Sequence, residues 1–394
     1  MTNICYAPFI HKYIHQKDYQ KLCCMSTEHD IVPSHTNLEQ HWQSDYYQDI
    51  RRKMLAGEKL DICVDCWSDE ENGMTSDRQM YNEKYKELGS PKLDIVKGNE
   101  YGSPLDLDLR PSNLCNLKCR MCTPKNSSQL DKEQNKATYL KEIHGEARED
   151  YTSGDVFDID NLKFLSKNLS EKSVVKFLGG EPTIMPEVSN MLDLLVSSNP
   201  TINITTNCTN FNNQVMFDKL KQFQSVTAQL SIDGIGKPLE YIRAPIHWDK
   251  AKEVIKQWTN IANKTRIQFT LQALNLFNVY DFVYWVSKTS IPVDANNVYS
   301  NWAEINNLPV DIRHKEIERV LSINDKDVQR VLNDSHKSLR KCLEAHLNDT
   351  TIGSIHTLAR TTKLFDMARN QHIKDYIPEV YSCIKAEYNE NQYI

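Results

Sequence analysis

No apolar run in this 394-residue sequence approaches the ~20 residues that a bilayer-spanning helix needs. The opening segment, MTNICYAPFIHKYIHQKDY, lacks a basic start followed by an unbroken apolar stretch. No secretory signal is expected, and the chain reads as cytoplasmic, without a membrane partner. Positive charge is also in short supply, with 47 Lys and Arg against 53 Asp and Glu, a net charge of −6. A chain of that sign builds no general field for nucleic acid, so nonspecific nucleic-acid binding is not expected. Internal repeats, low-complexity tracts and long linkers are absent. The 12 histidines form no HxH or HExxH pair, so none is assigned to metal. What remains is the composition of a globular protein, long enough to bury a large core without disulfide staples.

Cysteine is the exception. Of 11 cysteines, eight fall into two groups: Cys5, Cys23, Cys24, Cys63 and Cys66, then Cys115, Cys119 and Cys122. In a reducing compartment clustered thiols more often bind metal than pair as disulfides.

The central third alternates strands and helices. Strands are expected at 105–111, 174–182, 201–207, 226–233 and 267–274, with a weaker sixth at 293–300, from their β-branched and apolar content. Segments 185–198, 212–223, 248–263 and 278–288 carry apolar residues at spacings of three and four, as helices do. Six strands each followed by a helix imply parallel pairing with right-handed crossovers, an α/β sheet either open or curled into a partial barrel. The first 95 residues contain short segments and one helix-like stretch at 76–88. Residues beyond 303 are mostly helical. Three regions are therefore expected: 1–95, 100–302 and 303–394.

Cys115-Asn-Leu-Lys-Cys119-Arg-Met-Cys122 directly follows the first of these strands. Three thiolates within eight residues can hold one face of an iron–sulfur cubane and leave its fourth iron open to a ligand. Ligands of parallel α/β folds bind at the C-terminal strand ends, where this loop lies. Zinc with a fourth ligand elsewhere, or plain buried thiols, are the bland alternatives.

With this C-x3-C-x2-C spacing, the chain resembles the radical S-adenosylmethionine (radical SAM) superfamily over roughly residues 105–300. Gly179-Gly180-Glu181-Pro182 matches its GGEP motif, Thr206-Asn207 its TNG motif, and Ser231-Ile232-Asp233-Gly234 a SIDG segment, all in order at successive strand ends. The resemblance implies a partial (β/α)6 TIM-like barrel. It also implies a [4Fe–4S] cluster on Cys115, Cys119 and Cys122, and S-adenosylmethionine (SAM) held near Met121, Gly179, Gly180, Glu181, Asn207, Ser231 and Asp233. Two positions depart from the pattern. Met121 replaces the usual aromatic residue, and a thioether can pack on a purine face. Cys208 replaces the glycine of TNG, either as a small buried filler or as a hydrogen-atom donor near the cofactor. Arg243, in EYIRAP, suits a substrate or cofactor carboxylate or an ordinary surface position.

In the N-terminal group, Cys63-x2-Cys66 can grip one metal from a single turn, and four thiolates suit zinc or an iron–sulfur cluster equally. The arrangement Cys5, Cys23-Cys24, Trp42, Cys63-x2-Cys66, Ser76-x-Arg78 resembles a twitch or shortened SPASM region of the phage and bacterial type. Here it precedes the barrel instead of following it. That implies an auxiliary [4Fe–4S] cluster on Cys5, Cys63, Cys66 and one of Cys23 and Cys24. Arg78 either contacts a cluster or caps the fold. The tail at 365–381 either covers the barrel mouth or docks on the twitch-like region.

The activity implied by the resemblance is reductive cleavage of SAM and abstraction of a hydrogen atom from a peptide or small metabolite, an oxidoreductase or modifying enzyme. It implies an electron donor such as flavodoxin or ferredoxin. The rival from another class is a noncatalytic iron–sulfur electron carrier or redox sensor, which has no need of a GGEP or SIDG segment.

Overall fold

The computed structural model describes residues 3–390 except 16–19, 28, 31–36, 72, 74, 94–101, 146–156, 211, 299 and 335–337. The expected boundary between the first two regions, near 95–100, falls largely outside the described residues. Among the described residues no helix is long and apolar enough to cross a membrane.

One α/β sheet organises the chain. Its strands are β1 (His11–His15), β2 (Gln20–Lys21), β3 (His29–Asp30), β4 (Asp106–Arg110), β5 (Val174–Phe177), β6 (Thr201–Thr206), β7 (Val226–Ser231), β8 (Lys264–Leu271) and β9 (Val293–Asn297). Their spatial order is β3-β2-β1-β4-β5-β6-β7-β8-β9. Strands β4 to β9 run parallel, as expected, and β1 adds a seventh parallel strand beside β4. The antiparallel β2 and β3 extend that edge. Among the described residues the sheet does not close on itself.

The N-terminal region thus shares the sheet instead of standing apart. Its strand escaped detection because HKYIH reads as polar. It is nonetheless buried throughout, because tertiary partners satisfy it. His11 Nδ1 lies 2.6 Å from Asp106 Oδ2, and Lys12 Nζ lies 2.8 Å from His41 Nδ1 and 3.2 Å from the Tyr47 hydroxyl. A buried polar group with partners in place avoids most of the desolvation cost.

Parallel strands normally read as continuous apolar runs because helices cover both faces. Here they alternate. Leu107, Leu109, Val175, Phe177, Ile202, Ile204, Leu230, Ile267 and Phe269 are all buried on one face, against helices such as Trp248–Ile261 and Val279–Ser287. Asp106, Asp108, Arg110, Lys176, Asn203, Gln229 and Gln268 occupy the alternate positions and line the other face.

The C-terminal helices are Val310–Leu321, Lys326–Asn333, Leu339–Asn348, Ile355–Arg369 and Pro378–Glu390. The helix Ile355–Arg369 ends where Asn370 turns left-handed at φ 50°, a common helix stop. Just before that stop, Asp366 is buried and its carboxylate collects four donors. These are Arg120 Nη2 at 2.6 Å, the Tyr241 hydroxyl at 2.7 Å, the Ile373 N–H at 2.8 Å and the Tyr388 hydroxyl at 2.9 Å. Arg120, between Cys119 and Cys122, also lies 3.6 Å over the Tyr241 ring. Of the two expected placements for the tail, these contacts put it on the cysteine loop.

Asp366→Ala should strand the Arg120 guanidinium in the interior and cost about 3–5 kcal/mol. Thermal denaturation should show a midpoint several degrees lower. Asp249→Ala, which removes an exposed pair with Lys252, should leave the midpoint nearly unchanged.

Candidate functional site

The loop 111–123 leaves the C-terminal end of β4 and is pinned from several sides. The Lys118 N–H donates to the Ala244 carbonyl at 2.6 Å, and the Arg120 N–H to the Ile242 carbonyl at 2.8 Å. Ser127 Oγ donates to the Leu117 carbonyl at 2.7 Å. Gly179 and Gly180 complete the seat. A Cβ on Gly180 would lie 2.2 Å from the Leu114 carbonyl oxygen. One on Gly179, whose φ is +106°, would lie 2.9 Å from the Ser112 carbonyl oxygen. The glycines expected to make room for a ligand make room for the cysteine loop itself.

Glu181 is also committed to the protein. Its N–H donates to the Leu114 carbonyl at 2.7 Å. Its buried carboxylate accepts from the Thr183 N–H and hydroxyl, the Thr206 hydroxyl at 2.8 Å and the Asn207 N–H at 2.7 Å. It therefore ties the end of β5 to the end of β6, with no oxygen turned outward. Asn207 donates from Nδ2 to Asn116 at 2.9 Å and toward Cys115 Sγ at 3.8 Å, and accepts from Thr209. Cys208 has φ +60°, the left-handed conformation that explains why glycine suits this position. Its side chain is fully buried, with Sγ against the Thr206 carbonyl.

Across the mouth, Asp233 is fully buried. One oxygen accepts from the Thr270 N–H at 2.7 Å and the other from Arg243 Nε at 2.6 Å. Arg243 in turn donates from Nη1 toward Cys119 Sγ at 3.7 Å. The arginine expected to meet a carboxylate ligand meets Asp233 and a cysteine sulfur. Ser231 is half-buried at the end of β7. Met121 is half-buried too, and its carbonyl accepts from Ser300 Oγ at 3.1 Å.

Sequence reasoning missed Gln272. It follows β8 on the polar side of the strand alternation, is fully buried, and neither amide atom has a hydrogen-bond partner among the described residues. A buried amide without partners is costly, and a bound ligand is one way to satisfy it. The signal in the sequence was weak, a single glutamine continuing the polar alternation of Gln268 and Thr270.

Burial raises the Cys115 and Cys119 thiols, and pushes Cys122 up to about 12. The Arg243 guanidinium pulls the other way at Cys119 and Cys122. Empty, such thiols hold their protons, so metal loading must expel them.

Around the N-terminal group Cys5, Cys23, Cys63 and Cys66, with Arg78 and Tyr81, line a tight gap of only about 10 Å³. Cys63 closes the short helix Asp61–Cys63 and Cys66 lies in the first turn of Val64–Glu71. The two stand three residues apart, on one face. Backbone N–H groups of Ala7, Met25 and Arg78 point at the sulfurs of Cys5, Cys23 and Cys66. Cys24 is not in this lining. It feels Asp77, Asp108, Lys176 and Arg110 instead, because the chain bends at Cys23 and turns at Cys24 just after β2. Arg78 is held by Glu70 at 2.8 and 2.6 Å and by the Ile4 carbonyl at 2.9 Å, so it braces the wall of the gap. Among the described residues no three His, Cys, Asp or Glu side chains are arranged to hold one metal ion. Thiolates that each bind a different iron of a cubane stand further apart than the ligands of one ion.

Residues 109–271 match the family model described as "Radical SAM superfamily". That family implies SAM and a [4Fe–4S] cluster. No curated protein matches the chain. Among solved structures, SuiB of Streptococcus suis bound to S-adenosylmethionine is similar at 19% identity and a TM-score of 0.35, over 62% of this chain and 48% of that one. Native anSMEcpe with bound AdoMet is similar at 16% identity and a TM-score of 0.40, over 55% and 59%. The chain thus spans about half to three-fifths of the length of these structures.

Gly180→Ala should push the loop 111–123 outward, at about 1–3 kcal/mol for an overpacked site. Limited proteolysis should then cut within 111–123 faster than in the parent protein. An unchanged cleavage rate there would show that the loop does not need this seat.

Proposed function

We propose that the chain is a radical SAM enzyme with two iron–sulfur clusters, one on Cys115, Cys119 and Cys122 and an auxiliary one on Cys5, Cys23, Cys63 and Cys66. The observation that carries the reading is the match of residues 109–271 to the radical SAM family, with the three-cysteine loop inside it. When bound, the reduced cluster and SAM together supply a 5′-deoxyadenosyl radical that takes a hydrogen atom from the substrate.

The protein's own groups have definite tasks in this reading. Cys115, Cys119 and Cys122 would hold the cluster that supplies the electron for SAM cleavage. Arg243, oriented by Asp233, and Asn207 aim N–H donors at two of the ligating sulfurs, as outer partners of metal ligands commonly do. Glu181 and the two glycines act on SAM indirectly, by keeping the strand ends and the loop in register. The Gln272 amide offers SAM a donor and an acceptor. At the second site the N–H groups of Ala7, Met25 and Arg78 serve the ligating sulfurs in the same way. The regions 1–95, 100–302 and 303–394 then read as auxiliary site, SAM domain and helical cover of the cysteine loop.

The substrate is a peptide or a small metabolite, and an electron donor such as flavodoxin or ferredoxin reduces the clusters in the cytoplasm.

Anaerobic reconstitution followed by reduction with SAM should yield 5′-deoxyadenosine. Changing Cys115, Cys119 and Cys122 together to Ala should remove about half the bound iron and all of this product. Full cleavage by the triple variant would sink the assignment. Cys23→Ala should lose the auxiliary cluster's absorbance and lower the thermal midpoint, whereas Cys24→Ala should keep the iron content of the parent. Equal iron loss in both would refute the ligand set, and zinc in anaerobically purified protein would replace the cluster.

A further inference from the structure

The polar face of the sheet carries one row that the site described above does not use. Asp108, Lys176, Asn203 and Thr227 are in-register neighbours on β4, β5, β6 and β7, so their side chains project on the same side. Within this row Asn203 is only 9% exposed, and its Oδ1 has no hydrogen-bond partner among the described residues. Next to it the Lys176 side chain is 30% exposed, and its one ion pair among the described residues, to Asp106 Oδ2, is long at 3.9 Å. Asp106 is already held by His11 at 2.6 Å, and Asp108 by Arg110 Nε at 3.1 Å. The row therefore offers an ammonium with free donors, a buried acceptor with no donor, and a carboxylate with lone pairs to spare.

We infer that Asp108, Lys176 and Asn203 form the bed of the substrate, and that the substrate is a neutral, hydroxyl-bearing small molecule. The inference rests on the radical SAM reading, because it takes the polar face as the reaction chamber. A hydroxyl both accepts and donates, so neighbouring hydroxyls match an ammonium beside an amide oxygen and a carboxylate. An apolar ligand would leave Asn203 and Lys176 desolvated without partners. A fully charged ligand would upset a local balance in which Asp106 and Asp108 already face Lys176 and Arg110. Depth argues for a small molecule. Asn203 lies three residues before Thr206, the end of β6, about 10 Å below it at the usual rise of a strand. A chain entering from the mouth reaches that floor with one side chain at most.

The experiment uses the full reconstituted protein. SAM cleavage is measured alone and with three fractions of a cell extract: neutral molecules below 1 kDa, anions below 1 kDa, and retained macromolecules. The neutral fraction should stimulate the parent at least tenfold. Asn203→Leu and Lys176→Met should each cut the ratio of stimulated to unstimulated cleavage tenfold or more. Ligand-free Asn203→Leu should also melt above the parent, because it removes an orphaned acceptor that only a ligand satisfies. A lower melting point for Asn203→Leu with an unchanged ratio in both variants overturns the inference. So does stimulation that comes only from the anionic or macromolecular fraction, or no stimulation at all. Failure of the parent to cleave SAM under any condition is the distinct result that removes the radical SAM reading beneath it.

Discussion

The carboxylate of Glu181 lies at the centre of the strand ends, fully buried, with donors from Thr183, Thr206 and Asn207 on its oxygens. Its own N–H holds the Leu114 carbonyl of the cysteine loop. Burial raises this carboxyl above its ordinary range, and the donors work against that shift. Hydrogen bonds to a charged acceptor contribute about 1.5–3 kcal/mol each. One group thus sets the relative height of β5, β6 and the loop that carries Cys115. The adjacent glycines act by subtraction, since any side chain there would meet the loop backbone.

A second layer of ion pairs closes over the same loop from the C-terminal side. Lys118 and Arg369 share Glu133, at 2.7 and 2.8 Å, while Arg120 reaches Asp366. Residues between the cysteines are thereby anchored to a helix nearly 250 positions later in the chain. Buried pairs of this kind contribute little net stability against an apolar replacement, but losing one member is severe. Their value here is in specifying one position for the loop. The N-terminal cysteines are held differently, around a small gap walled by short segments.

Against these saturated networks, two buried amides stand out. Gln272 at the mouth has no partner on either amide atom, and Asn203 on the floor has none on Oδ1, among the described residues. Natural proteins give up stability at sites that exist to bind. The two lie on the same polar side of the sheet, one near the strand ends and one below. That separation suits a chamber that receives a cofactor above and a substrate beneath it.

Much of this was legible in the linear chain. The spacing of Cys115, Cys119 and Cys122, the strand order from β4 to β9 and the helices between them follow from periodicity and motif, because local pattern and tertiary role agree there. The cysteine content of the first 66 residues also announced a second thiol site. Tertiary structure alone decided the rest. HKYIH became a buried strand because His11 found Asp106 and Lys12 found His41 and Tyr47. Cys23 was separated from Cys24 by the bend and turn just after β2, which no spacing rule can orient. Glu181 and Asp233 matched motifs expected at a ligand, and the fold turned Glu181 toward Thr183, Thr206 and Asn207 and paired Asp233 with Arg243, which also reaches a sulfur. A motif specifies which residues gather at a strand end. Whether each faces the ligand or its neighbour depends on contacts between segments far apart in the chain, and these exist only once the sheet has formed.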